Sequence, residues 1–290
     1  MPDDIIHRSF ELAVAPDEER MGELSGTALL DLLEEYTVER GAPVVLNLAA
    51  APSQDASYEQ VVAGKDRVDW SKVWVVHLDE YVDLPAGHPN TFKSYLQEHV
   101  TGHLPLPEGR TLFIKDLQDE LEEEEDDSTA SELAADYGKI IAELVAYARE
   151  KGGAYVAHIG YGVNGHMAFN EPHVDKWTRD WVIPVQLDDT SVQQQYDDYK
   201  DHPDPDARYE SLEDVPRKAV SVSMAGILEA DHIVCAVPGP HKASAVKGAV
   251  DGELTAGFPA SMSRLASDFR LFTDRRAAGR LAGRPRPQME

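Results

Sequence analysis

The sequence predicts an α/β protein, a Rossmann-like three-layer fold with a mostly parallel central sheet. Three observations predict it. Short apolar runs recur at Pro43–Ala49, Val73–Leu78, Ala154–Gly160 and His232–Val237, the third bounded by glycines, and such runs read as buried parallel strands. Between them stand segments whose apolar residues repeat at helical spacing. The two kinds alternate, as in a sheet covered by helices on both faces.

The elements follow in chain order. Pro16-Asp-Glu-Glu opens a helix whose Met21, Leu24, Ala28, Leu29, Leu32 and Tyr36 share one face until Gly41, with an acidic first turn that suits the helix dipole. Pro43–Ala49 is the first strand, and Ala50-Ala-Pro-Ser-Gln leads to a helix through about Ala63. Val73–Leu78 is the second strand, with Asp79-Glu80-Tyr81 at its carboxyl end; Asn90 or Thr91 caps a helix carrying Phe92, Tyr95, Leu96 and Val100. The acidic run 116–128 reads as a solvated loop or frayed helix. Thr129 and Glu132 form a capping box for a helix through about Arg149, with Leu133, Tyr137, Ile140, Ile141, Leu144 and Val145 as its buried stripe. Residues 188–215, polar and irregular, read as a mobile lid or a surface insertion. Regular structure returns at Ala219–Met224, then a helix from about Ala225, the strand His232–Val237, a turn at 238–242 that opens a helix, and a last strand at Phe269–Phe272. Residues 1–274 thus form one α/β domain, and 275–290, rich in Arg, Gly and Pro, a flexible C-terminal tail.

Composition excludes several classes. The 53 acidic against 27 basic residues give a formal charge of −26, which disfavours nucleic acid and anionic membranes as partners. No apolar stretch is long enough to span a bilayer, and the start MPDDIIHRSF lacks a basic, then apolar, leader, so the expected location is cytoplasmic. The single Cys235, in an apolar run, excludes an intramolecular disulfide and a thiolate metal cluster and reads as a buried thiol. No cofactor and no metal site are expected.

The chemistry-bearing stretch is His158–Pro172, HIGYGVNGHMAFNEP, a strand end with three glycines followed by His166 and Glu171. Ligands of open α/β sheets bind at the carboxyl ends of strands. The loops at 49–54, 79–81 and 160–171 and the turn at 238–242 therefore converge on one sheet edge. The alternatives are a Gly-rich turn whose His and Glu cap local backbone and, at Asp79-Glu80, an exposed turn. His158 and His241, each alone, read as structural.

Three blocks, Leu78–Pro89, Gly162–Pro172 with its Phe-Asn-Glu-Pro string, and Val237–Val246, resemble the signature blocks of glucosamine-6-phosphate deaminases, in order between about Val44 and Asp274. The related 6-phosphogluconolactonases share the Gly-His part and a strand-end Asp-Glu. The resemblance implies a sugar or sugar phosphate as small-molecule partner, an oligomer of identical subunits, and a single catalytic domain that opens the sugar ring, moves a proton between C2 and C1 and expels ammonia. It makes Asp79 the C2 base and His166 the ring-opening acid–base, with Glu171 assisting; an imidazole titrates near the working pH. Glu80 and Gly165 stand beside these groups.

The departures are specific. Asn164 stands where the family has an aspartate, and its amide oxygen is expected to accept the imidazole N–H while stabilising imidazolium less. Ala50-Ala51-Pro52-Ser53-Gln54 replaces a glycine-rich phosphate cradle, and Pro52 offers no N–H. Gln195 aligns with a phosphate-binding arginine, which leaves Lys242 as the retained cation at a helix start. The resemblance thus implies a divergent member acting on an amino sugar phosphate or on a related sugar. The rival readings are lactone hydrolysis with His166 activating water, and a sugar-binding protein that kept the fold without catalysis. No basic set for a regulatory amino sugar phosphate site is recognisable after Pro172.

Overall fold

The computed structural model describes residues 9–118 and 127–281. The strands are β1 (Ser9–Ala15), β2 (Val44–Leu48), β3 (Val73–His77), β4 (Asp79–Tyr81), β5 (Ala154–Ile159), β6 (Val182–Gln186), β7 (Lys218–Val222), β8 (His232–Val237) and β9 (Asp268–Asp274). The helices are α1 (Glu18–Glu34), α2 (Asp55–Ala63), α3 (Phe92–His99), α4 (Ile114–Gln118), α5 (Asp127–Glu150), α6 (Asp189–Tyr199), α7 (Met224–Leu228) and α8 (Ala243–Asp251). Six strands pair in parallel in the order β1-β9-β8-β5-β2-β3. β4, β7 and β6 form a separate antiparallel sheet.

Alternation along the strands builds the two faces of the main sheet. Val44, Leu46 and Leu48 of β2 join Val73, Val75, Val156 and the α1 and α2 side chains in one core. Val45 joins Tyr155, Ala157, Ile159, Cys235 and the α5 stripe in the other. Burial of each such side chain contributes about 1.5–3 kcal/mol, which is why short runs of Val, Ile and Leu suffice to fix these strands. Cys235 is buried, as its apolar neighbours require.

Strand order reverses between β2 and β5, because the chain leaves β2 for β3 on one side and returns to β5 on the other. Such a switch point opens a crevice at the carboxyl ends of the two strands.

The structure corrects several expectations. Pro43–Ala49 is not the first strand: β1 precedes it, an edge strand whose Phe10, Leu12 and Val14 are only half-buried and whose apolar residues are interrupted by the exposed Glu11. Asp79–Tyr81 is not a turn but a strand antiparallel to β7. Helix α5 begins at Asp127, so Thr129 lies inside it and does not cap it. Of the acidic run, Asp116 to Gln118 close α4, Asp127 and Ser128 open α5, and 119–126 lie outside the described residues. The segment 188–215 contains α6, capped by Asp188, whose Oδ1 accepts the Ser191 N–H at 2.8 Å. The tail expected to be flexible begins instead with a 3-10 turn at Ala277–Arg280 that buries Ala277 and Ala278 and is anchored by Asp274 Oδ1 accepting the Ala277 N–H at 2.7 Å; residues 282–290 lie outside the described residues. No described helix is long and apolar enough to cross a membrane.

Candidate active site

The crevice at the switch point holds a cleft. The loop after β2 contributes Ala50, Ala51 and Ser53; β4 contributes Asp79 and α3 contributes Phe92. The loop after β5 contributes Gly162, His166 and Phe169, α6 contributes Gln194 and Gln195, and the turn before α8 contributes Lys242. A cavity continuing from it adds Glu18, Tyr199 and His241.

β4 sorts its two carboxylates to opposite sides, because successive strand residues face opposite ways. Asp79 is buried and lines the cleft. Burial, with the neighbouring Glu80 carboxylate as a smaller contribution, holds its carboxyl well above the usual range. Glu80 turns away into the start of α3. Its Oε1 accepts the N–H of Tyr81 at 2.9 Å and of Phe92 at 3.0 Å, and its Oε2 accepts that of Lys93 at 2.9 Å. It thereby satisfies helix N–H groups that have no partner within the helix. Burial outweighs those bonds and pushes Glu80 up to about 7.

A hydrogen-bonded frame holds β3 and β4 in place. The Tyr137 hydroxyl accepts the His77 N–H at 2.8 Å and donates to the Leu112 carbonyl at 3.0 Å. His77 Nε2 accepts the Ile114 N–H at 2.9 Å, a role that needs neutral imidazole; burial, aided by Lys115 and Lys93, brings its pKa down to about 3.

The loop after β5 is shaped by close approach. A Cβ on Gly162 would lie 2.2 Å from the His166 ring, and Gly165 adopts φ +83° with Phe258 packed against it. Ala168 is the one non-glycine residue with positive φ among those described. Phe169 and Asn170 then pin the loop to β7: the Phe169 N–H donates to Ser221 Oγ at 3.1 Å, and Asn170 Nδ2 donates to the Val222 carbonyl at 2.8 Å. The rings of Phe92 and Phe169 stack and that of Tyr81 packs tilted against both, tying loop, α3 and β4 into one wall.

Pinned this way, the loop brings His166 and Glu171 together. Glu171 Oε1 lies 3.5 Å from His166 Nδ1, an ion-pair contact rather than a good hydrogen bond. Oε1 also accepts from Ser191 of α6, and Oε2 accepts from Asn164 Nδ2 at 2.9 Å. Burial alone would raise this carboxyl; contact with His166, and the Ser191 and Asn164 hydrogen bonds, outweigh it and hold Glu171 down to about 2.

The structure changes one expected partnership. Asn164 does not accept the imidazole N–H: its Oδ1 accepts the backbone N–H of His166 at 3.0 Å, two residues on, in a local turn. The imidazole faces Glu171 instead. Of the expected substrate-binding set, Ala51, Ser53, Gln195 and Lys242 line the cleft, while Glu80 and Gly165 do not, since one is consumed by α3 and the other packs on Phe258. Glu171 and Asn164 stand behind His166 rather than in the wall. His158 is fully buried against Tyr58, and burial lowers it to about 3. His241, read as structural, lines the adjoining cavity. Gln194, Tyr199 and Ser191 were not foreseen, since a polar run such as Asp188–Tyr199 carries almost no apolar periodicity; the Asp188 and Ser191 spacing was its one helix-start signal. No described cluster of His, Cys, Asp and Glu has the makings of a metal site.

Residues 17–195 match the family described as glucosamine-6-phosphate isomerases/6-phosphogluconolactonase. A glucosamine-6-phosphate deaminase of Clostridium beijerinckii is 28% identical over 93% of this chain and 98% of its own. One from Halothermothrix orenii is 30% identical over 91% of this chain and 98% of its own. Among solved structures, a monomeric glucosamine-6-phosphate deaminase superposes with a TM-score of 0.76 at 23% identity, covering 93% of this chain and 99% of that one. The 6-phosphogluconolactonase of Trypanosoma brucei gives 0.69 at 16% identity, covering 95% and 100%. At these identities the structural likeness is a likeness of fold.

Proposed function

This chain belongs to the glucosamine-6-phosphate isomerase/6-phosphogluconolactonase family, and from that premise we propose that it converts an amino sugar phosphate such as glucosamine 6-phosphate into the ketose phosphate and ammonia. The observation that carries the reading is the pairing, across one cleft, of a buried Asp79 whose basicity is raised with a His166 backed by the ionised Glu171. Binding groups alone have no use for such a set; proton transfer does.

The roles follow from the chemistry. His166 moves the proton of the C1 hydroxyl to the ring oxygen as the ring opens, and Glu171 stabilises the imidazolium formed on the way. Asp79 takes the proton from C2, and the raised basicity conferred by burial suits removal of a weakly acidic C–H. The same carboxyl returns the proton to C1, which turns the enolamine into a ketimine; water then adds at C2 and ammonia leaves. Lys242, with Ser53, the Ala51 segment and Gln195, meets the far end of the sugar, where the ammonium and the start of α8 favour an anionic group.

The test is turnover of glucosamine 6-phosphate, read as ammonia and ketose, with free glucosamine and 6-phosphogluconolactone run alongside. Asp79→Asn is expected to abolish turnover by 10²-fold or more, on the order of a lost general base, while leaving ligand binding intact. A fully active Asp79→Asn variant, or a wild type that hydrolyses the lactone and ignores amino sugars, overturns the reading.

A further inference from the structure

Glu171 is completely buried, and a buried carboxyl without donors takes up a proton. Protonated, it has one oxygen carrying hydrogen, and it no longer stabilises a charged imidazole. One donor reaches each of its oxygens, and the two come from different parts of the fold. Asn164 serves Oε2 from the same loop. Ser191 serves Oε1, the oxygen that faces His166, from the first turn of α6. Ser191 is itself buried, and Asp188 fixes its turn by capping the helix through the Ser191 N–H.

We propose that Ser191 is a positioning residue of the proton-transfer set: its hydroxyl holds Glu171 ionised and aimed at His166, so that an element remote in sequence completes the site. This rests on the roles given above to His166 and Glu171. Of the other charged groups around Glu171, Lys176 donates its Nζ to the Glu171 and Val174 carbonyls, leaving the carboxylate to His166, Asn164 and Ser191. Asp188 is engaged with the helix start, Asp189 pairs with Arg217 at 3.0 Å, and Asp79 stands on β4 in the cleft wall. A hydroxyl fits this place better than a cation would: it gives one hydrogen bond to Oε1 and adds no charge to compete with imidazolium for the same oxygen.

The experiment compares wild type, Ser191→Ala and Ser191→Thr by pH–rate profile and by NMR titration of the His166 imidazole. Loss of a hydrogen bond to a charged group is expected to lower kcat/KM about tenfold to a hundredfold in the alanine variant. Its acid limb is expected to move to higher pH as Glu171 becomes easier to protonate, and its His166 to release its proton at lower pH than in wild type. Threonine, which keeps the hydroxyl, restores both. An alanine variant with the wild-type limb and the wild-type His166 titration overturns the proposal, as does a threonine variant displaced as far as alanine. If wild type turns over no amino sugar, the functional reading falls, while the His166 titration still decides whether Ser191 governs the pair. If alanine does not fold, Ser191→Cys, close to serine in size and a weak donor, takes its place with an intermediate displacement expected; wild-type behaviour from it overturns the proposal.

Discussion

The Gly162→Ala substitution puts the geometry of the loop after β5 to a direct test. A Cβ there would lie 2.2 Å from both Cε1 and Nε2 of His166 and 2.5 Å from Cδ2, so it meets the face of the ring rather than one atom. Ordinary contact begins near 3.4 Å, and the ring has to retreat by about 1.2 Å. Gly162 is not among the positive-φ glycines, so alanine suits its backbone and the perturbation is confined to the imidazole. The ring has the cleft to move into, which keeps the stability loss to about 1 kcal/mol. Its 3.5 Å contact with Glu171 does not survive such a shift. Misplacement of a reacting group by about 1 Å costs on the order of 10²-fold in rate, and that loss is expected in kcat/KM. The assay is ammonia release from glucosamine 6-phosphate with a thermal melt of the same sample. A folded variant with kcat/KM within about threefold of wild type would refute the reasoning, since ring position would then not matter.

Other perturbations separate the two buried glutamates. Glu171 has a depressed folded pKa, so its contribution to stability is present above about pH 4.5 and lost as pH falls through about 2; Glu171→Gln is expected to remove a dependence on the order of 3 kcal/mol, read by urea unfolding against pH, together with most activity. Glu80 has the opposite sign. Its folded pKa is raised to about 7, so its contribution is full below about pH 4.5 and fades as pH rises through 7; Glu80→Gln is expected to flatten stability across that window by about 3 kcal/mol. Asn170→Ala removes a buried amide that bridges the Met167 and Val222 carbonyls, and an expected loss of about 2 kcal/mol appears as a lower Tm with faster hydrogen exchange in the 160–171 loop.

Much of the main sheet was legible because a strand buried on both faces is mostly apolar, and β2, β3, β5 and β8 are, with one polar residue each (Asn47, His77, His158 and His232). The strands that escaped notice are those with one face in solvent or a polar partner. β1 is an edge strand, and β6, with the pattern Val-Ile-Pro-Val-Gln, buries Val182 and Val185 but exposes Pro184 and Gln186. The strand-end rule likewise located the cleft before any contact was known. It did not separate Asp79 from Glu80, because their split depends on which face of β4 meets α3.

The sequence by itself determined the fold class, the convergence of strand-end segments on one edge, and the presence of Asp79 and His166 there with Glu171 close behind. These are consequences of local pattern and chain order, which periodicity and motif spacing carry. Only the tertiary structure decided that Asn164 donates to Glu171 rather than meeting the imidazole, that Glu80 accepts from the start of α3, and that Ser191, twenty residues beyond Glu171, donates to its carboxylate. The reason is physical: a hydrogen bond in a buried site is set by orientations accurate to a fraction of an ångström, and those arise from the packing of segments distant in sequence, on which local pattern is silent.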